Sequence, residues 1–161
     1  MGKVQGYSGL QIAVHWITAI LVVFNYFYSE GMGSALDQSL GETPEHAVEI
    51  NPQIHVWVGV AVLALVVLRL VLRMKRGAPA APGPEWLAIA ALWGHRLLYA
   101  LLLLAPVLGG LTWFGGIGSL GDVHALVANG LLIVAGGHAV MALFHQYVLK
   151  DHLLLRMMRA D

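Results

Sequence analysis

Four long apolar segments constrain this sequence more than any other feature. They run from about residue 10 to 28, 54 to 74, 86 to 113 and 122 to 149. Each approaches or exceeds the roughly 20 apolar residues that an α-helix needs to cross the hydrocarbon core of a bilayer. Only 11% of the 161 residues are charged, against roughly 25% in soluble domains. We therefore predict an all-α integral membrane protein, one domain over residues 1-161, folded as a bundle of four transmembrane helices.

The basic residues are distributed unevenly along the chain. All nine Lys and Arg residues lie near the N-terminus, around the linker between the second and third segments, or near the C-terminus, whereas the first linker has acidic residues and no Lys or Arg. The positive-inside rule then predicts that both termini and the second linker are cytoplasmic. We expect a multi-pass protein of a bacterial inner membrane, with the first segment retained as a helix because no small-residue cleavage site follows it. Below, the two ends of the bundle are called the basic end and the acidic end.

The chain has no cysteine but eight histidines. The lack of thiols excludes disulfides, iron–sulfur ligation and covalent c-type haem, and the formal net charge of zero argues against nucleic acid as a partner. Ionisable residues inside membrane helices are costly and mark function by default, although a buried hydrogen bond to a neighbouring helix is the simpler explanation for any single one. Six histidines fall within or at the end of the predicted helices: His15, His55, His95, His124, His138 and His145.

The depths of these histidines sort them into two levels. His55 and His124 each lie about one turn from the acidic end of their helices, and we call them the outer pair. His138 follows His124 by 14 residues, which is about 21 Å along a helix and within roughly 40° of the same face. His15 lies at a similar depth near the basic end, so it forms the inner pair with His138. One helix therefore presents a histidine at both levels to the same side of the bundle.

Two imidazoles at each level match the two axial positions of a haem iron, and a buried porphyrin explains neutral histidines at membrane depth. Zinc is the alternative, but it normally gathers three or four ligands, and no carboxylate lies deep in the predicted spans. We therefore expect two b-type haems.

His95 and His145 lie in the half of the bundle toward the basic end, with Arg96 beside the first. Histidine donates hydrogen bonds and exchanges protons near neutral pH, so these three residues are candidates for a quinone site. Two alternatives remain open: either histidine is a buried hydrogen-bond donor, or His95 replaces His15 as the inner ligand. His46 and His152 are expected to be solvated.

Several motifs, in this order, are similar to a known family: LQIAVHW, QIHVWVG, VLRLVLR, WGHRLLYALLLLAPVLGG, DVHALVANGLLIVAGGHAVMALFHQYVLKD and LLRMM. Over nearly its whole length the chain resembles the bacterial cytochrome b561 family. The resemblance implies a four-helix bundle with two haem b groups, with His15 and His138 as ligands of the inner haem and His55 and His124 as ligands of the outer haem. It also implies a quinone near His95 and His145.

The resemblance further implies an oxidoreductase that takes electrons from superoxide at the outer haem and reduces ubiquinone at the inner side. An anion is steered by positive potential, however, and the acidic end has no Lys or Arg. The charge distribution favours a basic periplasmic redox protein or a neutral donor over superoxide.

Three functions follow from these observations. The first is transmembrane electron transfer between a periplasmic donor and membrane quinone, with superoxide oxidation as one version. The second is a membrane anchor and electron conduit for a separate periplasmic oxidoreductase. The third, least compatible with so many intramembrane histidines, is a transporter or structural subunit without redox chemistry.

Overall fold

The computed structural model describes residues 6–47, 49–79 and 84–160, and these ranges contain helices and no strand. The helices are α1 (Gly9–Phe27), α2 (Met32–Ser39), α3 (Pro52–Arg76), α4 (Glu85–Trp113) and α5 (Leu120–Phe144). A π-helical turn (His145–Leu149) extends α5, and a 3-10 turn (Leu154–Met157) follows near the C-terminus. α1, α3, α4 and the extended α5 are each long and apolar enough to cross a membrane. The prediction of four apolar spans is confirmed, and their bounds differ from the expected ones by at most two residues.

The starts of α1 and α3 are specified by local sequence. Ser8 and Gln11 form a capping box, in which the Ser8 hydroxyl accepts from the Gln11 N–H at 3.3 Å and the Gln11 side chain accepts from the Ser8 N–H at 3.0 Å. Asn51 caps α3 by accepting from the Gln53 N–H at 3.1 Å. Pro52 takes the first helical position, where its missing N–H costs nothing.

Direct packing joins α1 with α3, α3 with α4, and α4 with α5. The core between them is small and aliphatic, consisting of Val62, Val66, Leu102 and Leu131. In the described part of the chain α1 and α5 form no extended interface, and a 2.6 Å hydrogen bond from the Tyr26 hydroxyl to Asn129 Oδ1 bridges them.

Most outward-facing side chains of the spans are apolar. Phe27 and Ile133 are each 76% exposed and Leu126 is 72% exposed. A surface of this kind in contact with water would be strongly unfavourable, since each exposed large apolar side chain forgoes roughly 1.5–3 kcal/mol of burial. Lipid contact explains this exterior, as the composition predicted.

The acidic-end linker between α1 and α3 is not wholly irregular, because it contains α2. Gly31 precedes this helix as its N-cap with φ of 85°, a left-handed conformation that glycine adopts without strain. Leu36 of α2 packs against Gly121 in the first turn of α5, and Leu40, which follows α2, packs so close to Gly118 that a Cβ added there would lie 2.9 Å from Leu40 Cδ1. α2 therefore lies against the acidic end of the bundle beside the outer pair.

Candidate functional site

The outer pair lies between α3 and α5 near the acidic end. The ring centroids of His55 and His124 are 6.1 Å apart, and the ring planes are nearly perpendicular at 89°. Two imidazoles that bind one metal ion from opposite sides, each with its nitrogen about 2 Å from the metal, have ring centroids roughly 6 Å apart. The separation of the two rings therefore suits a shared metal between them.

Both rings of the outer pair are oriented by backbone carbonyls. His55 Nδ1 lies 3.2 Å from the carbonyl oxygen of Asn25 on α1, and His124 Nδ1 lies 2.8 Å from that of Ala105 on α4. A carbonyl only accepts, so both Nδ1 atoms carry the proton and both Nε2 atoms keep a free lone pair. Metal-binding histidines characteristically donate their second ring N–H in this way, which fixes the tautomer and the ring orientation.

Gly109 allows the His124 ring to approach α4. A Cβ added there would lie 3.1 Å from Cε1 and 3.2 Å from Nδ1 of that ring, closer than carbon atoms pack without strain. Any larger residue at position 109 would push His124 away from the Ala105 carbonyl. The absence of a side chain at Gly109 thus helps to position the His124 ring.

A cavity of about 640 Å³ surrounds the outer pair. It falls within the roughly 300–1,000 Å³ of sites for small molecules and cofactors. Its lining includes Leu102, Leu131 and Gly109, and also the carboxylates of Asp37, Glu42 and Asp122. The cavity is mainly apolar, and each Nε2 atom has a free lone pair. A cavity of this size therefore fits a haem with His55 and His124 as axial ligands.

The inner cluster, defined as His15, His95, His138 and Arg69, lies toward the basic end. The rings of His95 and His138 have centroids 5.1 Å apart and an interplanar angle of 77°. His95 Nδ1 donates to the Ala91 carbonyl one turn earlier in α4 at 2.6 Å, which leaves its Nε2 free. His15 lies within electrostatic range of both other histidines. Three imidazoles and a guanidinium therefore meet where the sequence predicted two imidazoles.

The partner of His15 sets its tautomer in this structure. Arg69 Nη2 lies 2.9 Å from His15 Nδ1, and because a guanidinium only donates, Nδ1 is the acceptor. Neutral His15 then carries its proton on Nε2. To bind a metal through Nε2, His15 requires that Arg69 release Nδ1, whereas the outer histidines require no such change.

The three residues predicted for a quinone site have separate partners. His95 belongs to the inner cluster, whereas Arg96 is exposed and lies 4.9 Å from the centroid of the Trp93 ring. His145 is 8% exposed, and its Nδ1 donates to Asp151 Oδ2 at 2.5 Å.

Asp151, which follows the extended α5, is held in its ionised form. Partial burial raises the pKa of Asp151, but the hydrogen bonds from His145 and from the Leu153 N–H outweigh this effect and lower the pKa below its ordinary value. His46 and His152 are exposed, as expected.

Within the described ranges, no three His, Asp or Glu side chains are gathered as a metal centre. A protein-only zinc site normally needs such a set, whereas a haem needs two axial ligands.

The histidines were predictable from the sequence, but the groups that orient them were not. Asn25, Ala105 and Ala91 act through backbone carbonyls, which no side-chain pattern reveals. Arg69 and Asp151 carried a readable signal, a charge inside or just beyond an apolar helix, but the sequence did not show which histidine each would contact.

The sequence matches known proteins along nearly all of its length. The family model for prokaryotic cytochrome b561 matches residues 6–160. A cytochrome b562 of Cereibacter sphaeroides is 46% identical over 162 residues, covering 99% of each chain. A probable superoxide oxidase of Yersinia pestis is 32% identical, covering 94% of this chain and 95% of its own. Cytochrome b561 homolog 1 of Escherichia coli is 32% identical over 94% of this chain and 96% of its own. No solved structure matches significantly.

Proposed function

The chain belongs to the prokaryotic cytochrome b561 family, which implies haem b and transmembrane electron transfer, and from this premise we propose its specific function. It holds two haems, one at the outer pair and one at the inner cluster, and transfers electrons from a periplasmic donor to membrane quinone. The basic end faces the cytoplasm and the acidic end faces the periplasm.

The geometry of the outer pair supports this proposal most directly. The ring centroids of His55 and His124 are 6.1 Å apart, each ring donates its Nδ1–H to a carbonyl, and both residues line a cavity of about 640 Å³. Packing alone accounts for an isolated buried histidine, but it does not account for two neighbouring rings with both Nε2 atoms free beside such a cavity. When bound, haem supplies the one-electron chemistry that the side chains lack.

For the inner haem we propose His15 and His138 as the ligands. The His95 and His138 rings are 5.1 Å apart, about an ångström closer than two imidazoles that share a metal. They also lie on α4 and α5, which pack directly, whereas α1 and α5 do not form an extended interface in the described ranges. A flat macrocycle is therefore accommodated more easily between α1 and α5.

His95 then remains available for a substrate. With Nδ1 committed to the Ala91 carbonyl, its Nε2 accepts or donates one hydrogen bond beside the inner ligands. Reduction of a quinone to a quinol consumes two electrons and two protons, and His145 with Asp151 provides a hydrogen-bonded pair at the basic end that holds a proton. We propose His95 as the hydrogen-bond partner of quinone, with His145 on the proton route and Arg96 at the membrane surface.

Superoxide is one candidate donor, because a relative that is 32% identical is named a probable superoxide oxidase. Two superoxide ions would release two electrons and two molecules of oxygen for each quinone reduced. The carboxylates that line the outer cavity, Asp37, Glu42 and Asp122, favour a second candidate. A group of carboxylates attracts a basic protein and repels an anion, so the chain would then act as membrane anchor and conduit for a periplasmic redox protein.

The two haem sites are tested by measuring the haem content of the purified protein and its variants. We expect the purified protein to be red and to yield two protohaems per chain on extraction. His124→Ala should lose one haem and His138→Ala the other, with distinct optical and potentiometric signatures. His46→Ala, which changes an exposed histidine in the first linker, is the matched control and should retain both. A colourless protein after haem-replete expression, or two haems retained in His124→Ala, would refute the proposal.

The reaction is tested by stopped-flow spectroscopy of the haem absorbance. Superoxide and a basic redox protein are each mixed with the oxidised protein, and reoxidation is then followed after ubiquinone is added. Haem reduction by superoxide at a rate near the diffusion limit would identify superoxide as the electron donor. Failure of ubiquinone to reoxidise the haems would exclude quinone as the acceptor.

A further inference from the structure

α3 carries two arginines one helical turn apart, Arg69 and Arg73, on the side that faces the bundle. Their guanidinium carbons lie 5.5 Å and 6.0 Å from the centroid of the same ring, Tyr99 on α4. Arg69 also reaches His15 on α1. The two charges are thus held together between three helices at the basic end instead of extending separately into solvent.

These arginines have no carboxylate partner in the described ranges, where the ion pair within 4 Å is that of His145 with Asp151. An arginine remains charged in essentially all protein environments, and a charge at membrane depth is costly unless it is paired. Two neighbouring guanidinium groups also repel each other. Cation–π contacts with one tyrosine offset only part of this cost.

The groups around the two arginines are uncharged: His15 Nδ1 and the Tyr99 hydroxyl accept hydrogen bonds from Arg69 but do not balance its charge. Tyr7, which precedes α1, lies within electrostatic range of Arg73 and Tyr99. Burial raises the pKa of Tyr7, with Arg73 acting in the opposite direction, so the phenol stays protonated at neutral pH and can donate. Two guanidinium groups and two phenols thus lie within electrostatic range of one another, and among the described residues no carboxylate forms an ion pair with either guanidinium.

We infer that Arg69 and Arg73, together with Tyr7 and Tyr99, bind the propionate carboxylates of the inner haem. This inference rests on the proposed function, because it requires a haem at the inner cluster. Guanidinium groups bind carboxylates through two parallel, charge-assisted hydrogen bonds. The contact with His15 supports the assignment: when His15 carries its proton on Nδ1 to bind iron through Nε2, the Arg69 guanidinium needs another acceptor.

Two other ligands fit this site less well. Ubiquinone has no acidic group, so it does not balance the charge. A lipid phosphate lies at the bilayer surface, and arginines that reach it extend outward from helix ends, whereas Arg69 contacts α1 and α4 inside the bundle.

The test compares protohaem with its dimethyl ester, in which both propionates are uncharged, in haem-depleted full-length protein reconstituted in detergent. Charge-assisted hydrogen bonds to the propionates strengthen haem binding. We therefore expect the wild type to bind protohaem at the inner site at least about tenfold more tightly than the ester. Arg69→Gln with Arg73→Gln should remove this preference and lower the midpoint potential of the inner haem, because positive charge next to a haem favours its reduced state. Arg69→Lys with Arg73→Lys should keep part of both effects.

Arg76→Gln is the matched control, since Arg76 is an exposed cation at the end of the same helix; it should leave the preference and the potential unchanged. Equal affinities for protohaem and ester in the wild type would overturn the inference while leaving the inner haem in place. The inference also fails if the Gln variants keep the preference, or if their effect depends on anionic lipid in nanodiscs and not on the propionates. Absence of any inner haem in the wild type would instead refute the proposed function.

Discussion

Gly109→Ala should weaken the outer haem without affecting the inner one. The added methyl carbon would lie 3.1 Å from Cε1 and 3.2 Å from Nδ1 of His124, so the ring must retreat by about 0.3 Å to reach ordinary contact. That movement lengthens its hydrogen bond to the Ala105 carbonyl, now 2.8 Å, and displaces Nε2 from its position opposite His55. Small-to-large changes in packed sites cost about 1–3 kcal/mol, which corresponds to roughly 5- to 150-fold weaker binding of the outer haem.

The affinity is measured by titrating haem-depleted protein with haem and following the absorbance of each site, with His124→Ala as the reference that lacks the outer haem. Gly110→Ala is the matched control, because its Cβ meets nothing within 4 Å although Gly110 lines the same cavity. If Gly109→Ala binds the outer haem as tightly as Gly110→Ala does, the steric argument for His124 is wrong. Weakening of both haems by Gly109→Ala would show instead that the helix as a whole was disturbed.

Three further predictions concern the inner ligands, the acidic end and the C-terminal segment. His15→Ala should remove the inner haem, whereas His95→Ala should keep it and slow reoxidation by ubiquinone; the reverse result in haem extraction would make His95 the ligand. Glu45→Lys with Glu49→Lys should speed haem reduction by superoxide and slow haem reduction by a basic redox protein, and both differences should shrink at high salt. Unchanged rates of haem reduction in stopped flow would refute the electrostatic argument. Asp151→Asn should lower the melting temperature at neutral pH. Because the pKa of Asp151 is lowered in the folded protein, this stabilisation is present above the ordinary aspartate pKa and is lost as pH falls through the lower folded value, so melting curves of variant and wild type should converge in acid.

The membrane-spanning helices and the depths of the histidines were predictable from the sequence, because both depend on local patterns of residues. Four apolar segments of membrane length can only satisfy their backbone groups in lipid as helices, and the caps at Ser8 and Asn51 begin two of them. The spacing of His124 and His138 placed both on one side of α5, and the equal depths of His55 and His124 predicted the juxtaposition that the structure shows. Their assignment as haem ligands stays a prediction.

Tertiary structure decided the partners. Helical periodicity gives the depth and face of a side chain but not the rotation of one helix against another, so the 5.1 Å contact of His95 with His138 and the bond from Arg69 to His15 were not foreseeable. The linker between α1 and α3 has too little apolar periodicity to predict α2, which depends on the contacts of Leu36 with Gly121 and of Leu40 with Gly118 at the start of α5. Sequence thus determined that histidines stand at two depths of a membrane bundle, whereas only packing determined which backbone carbonyl or guanidinium sets the tautomer of each ring.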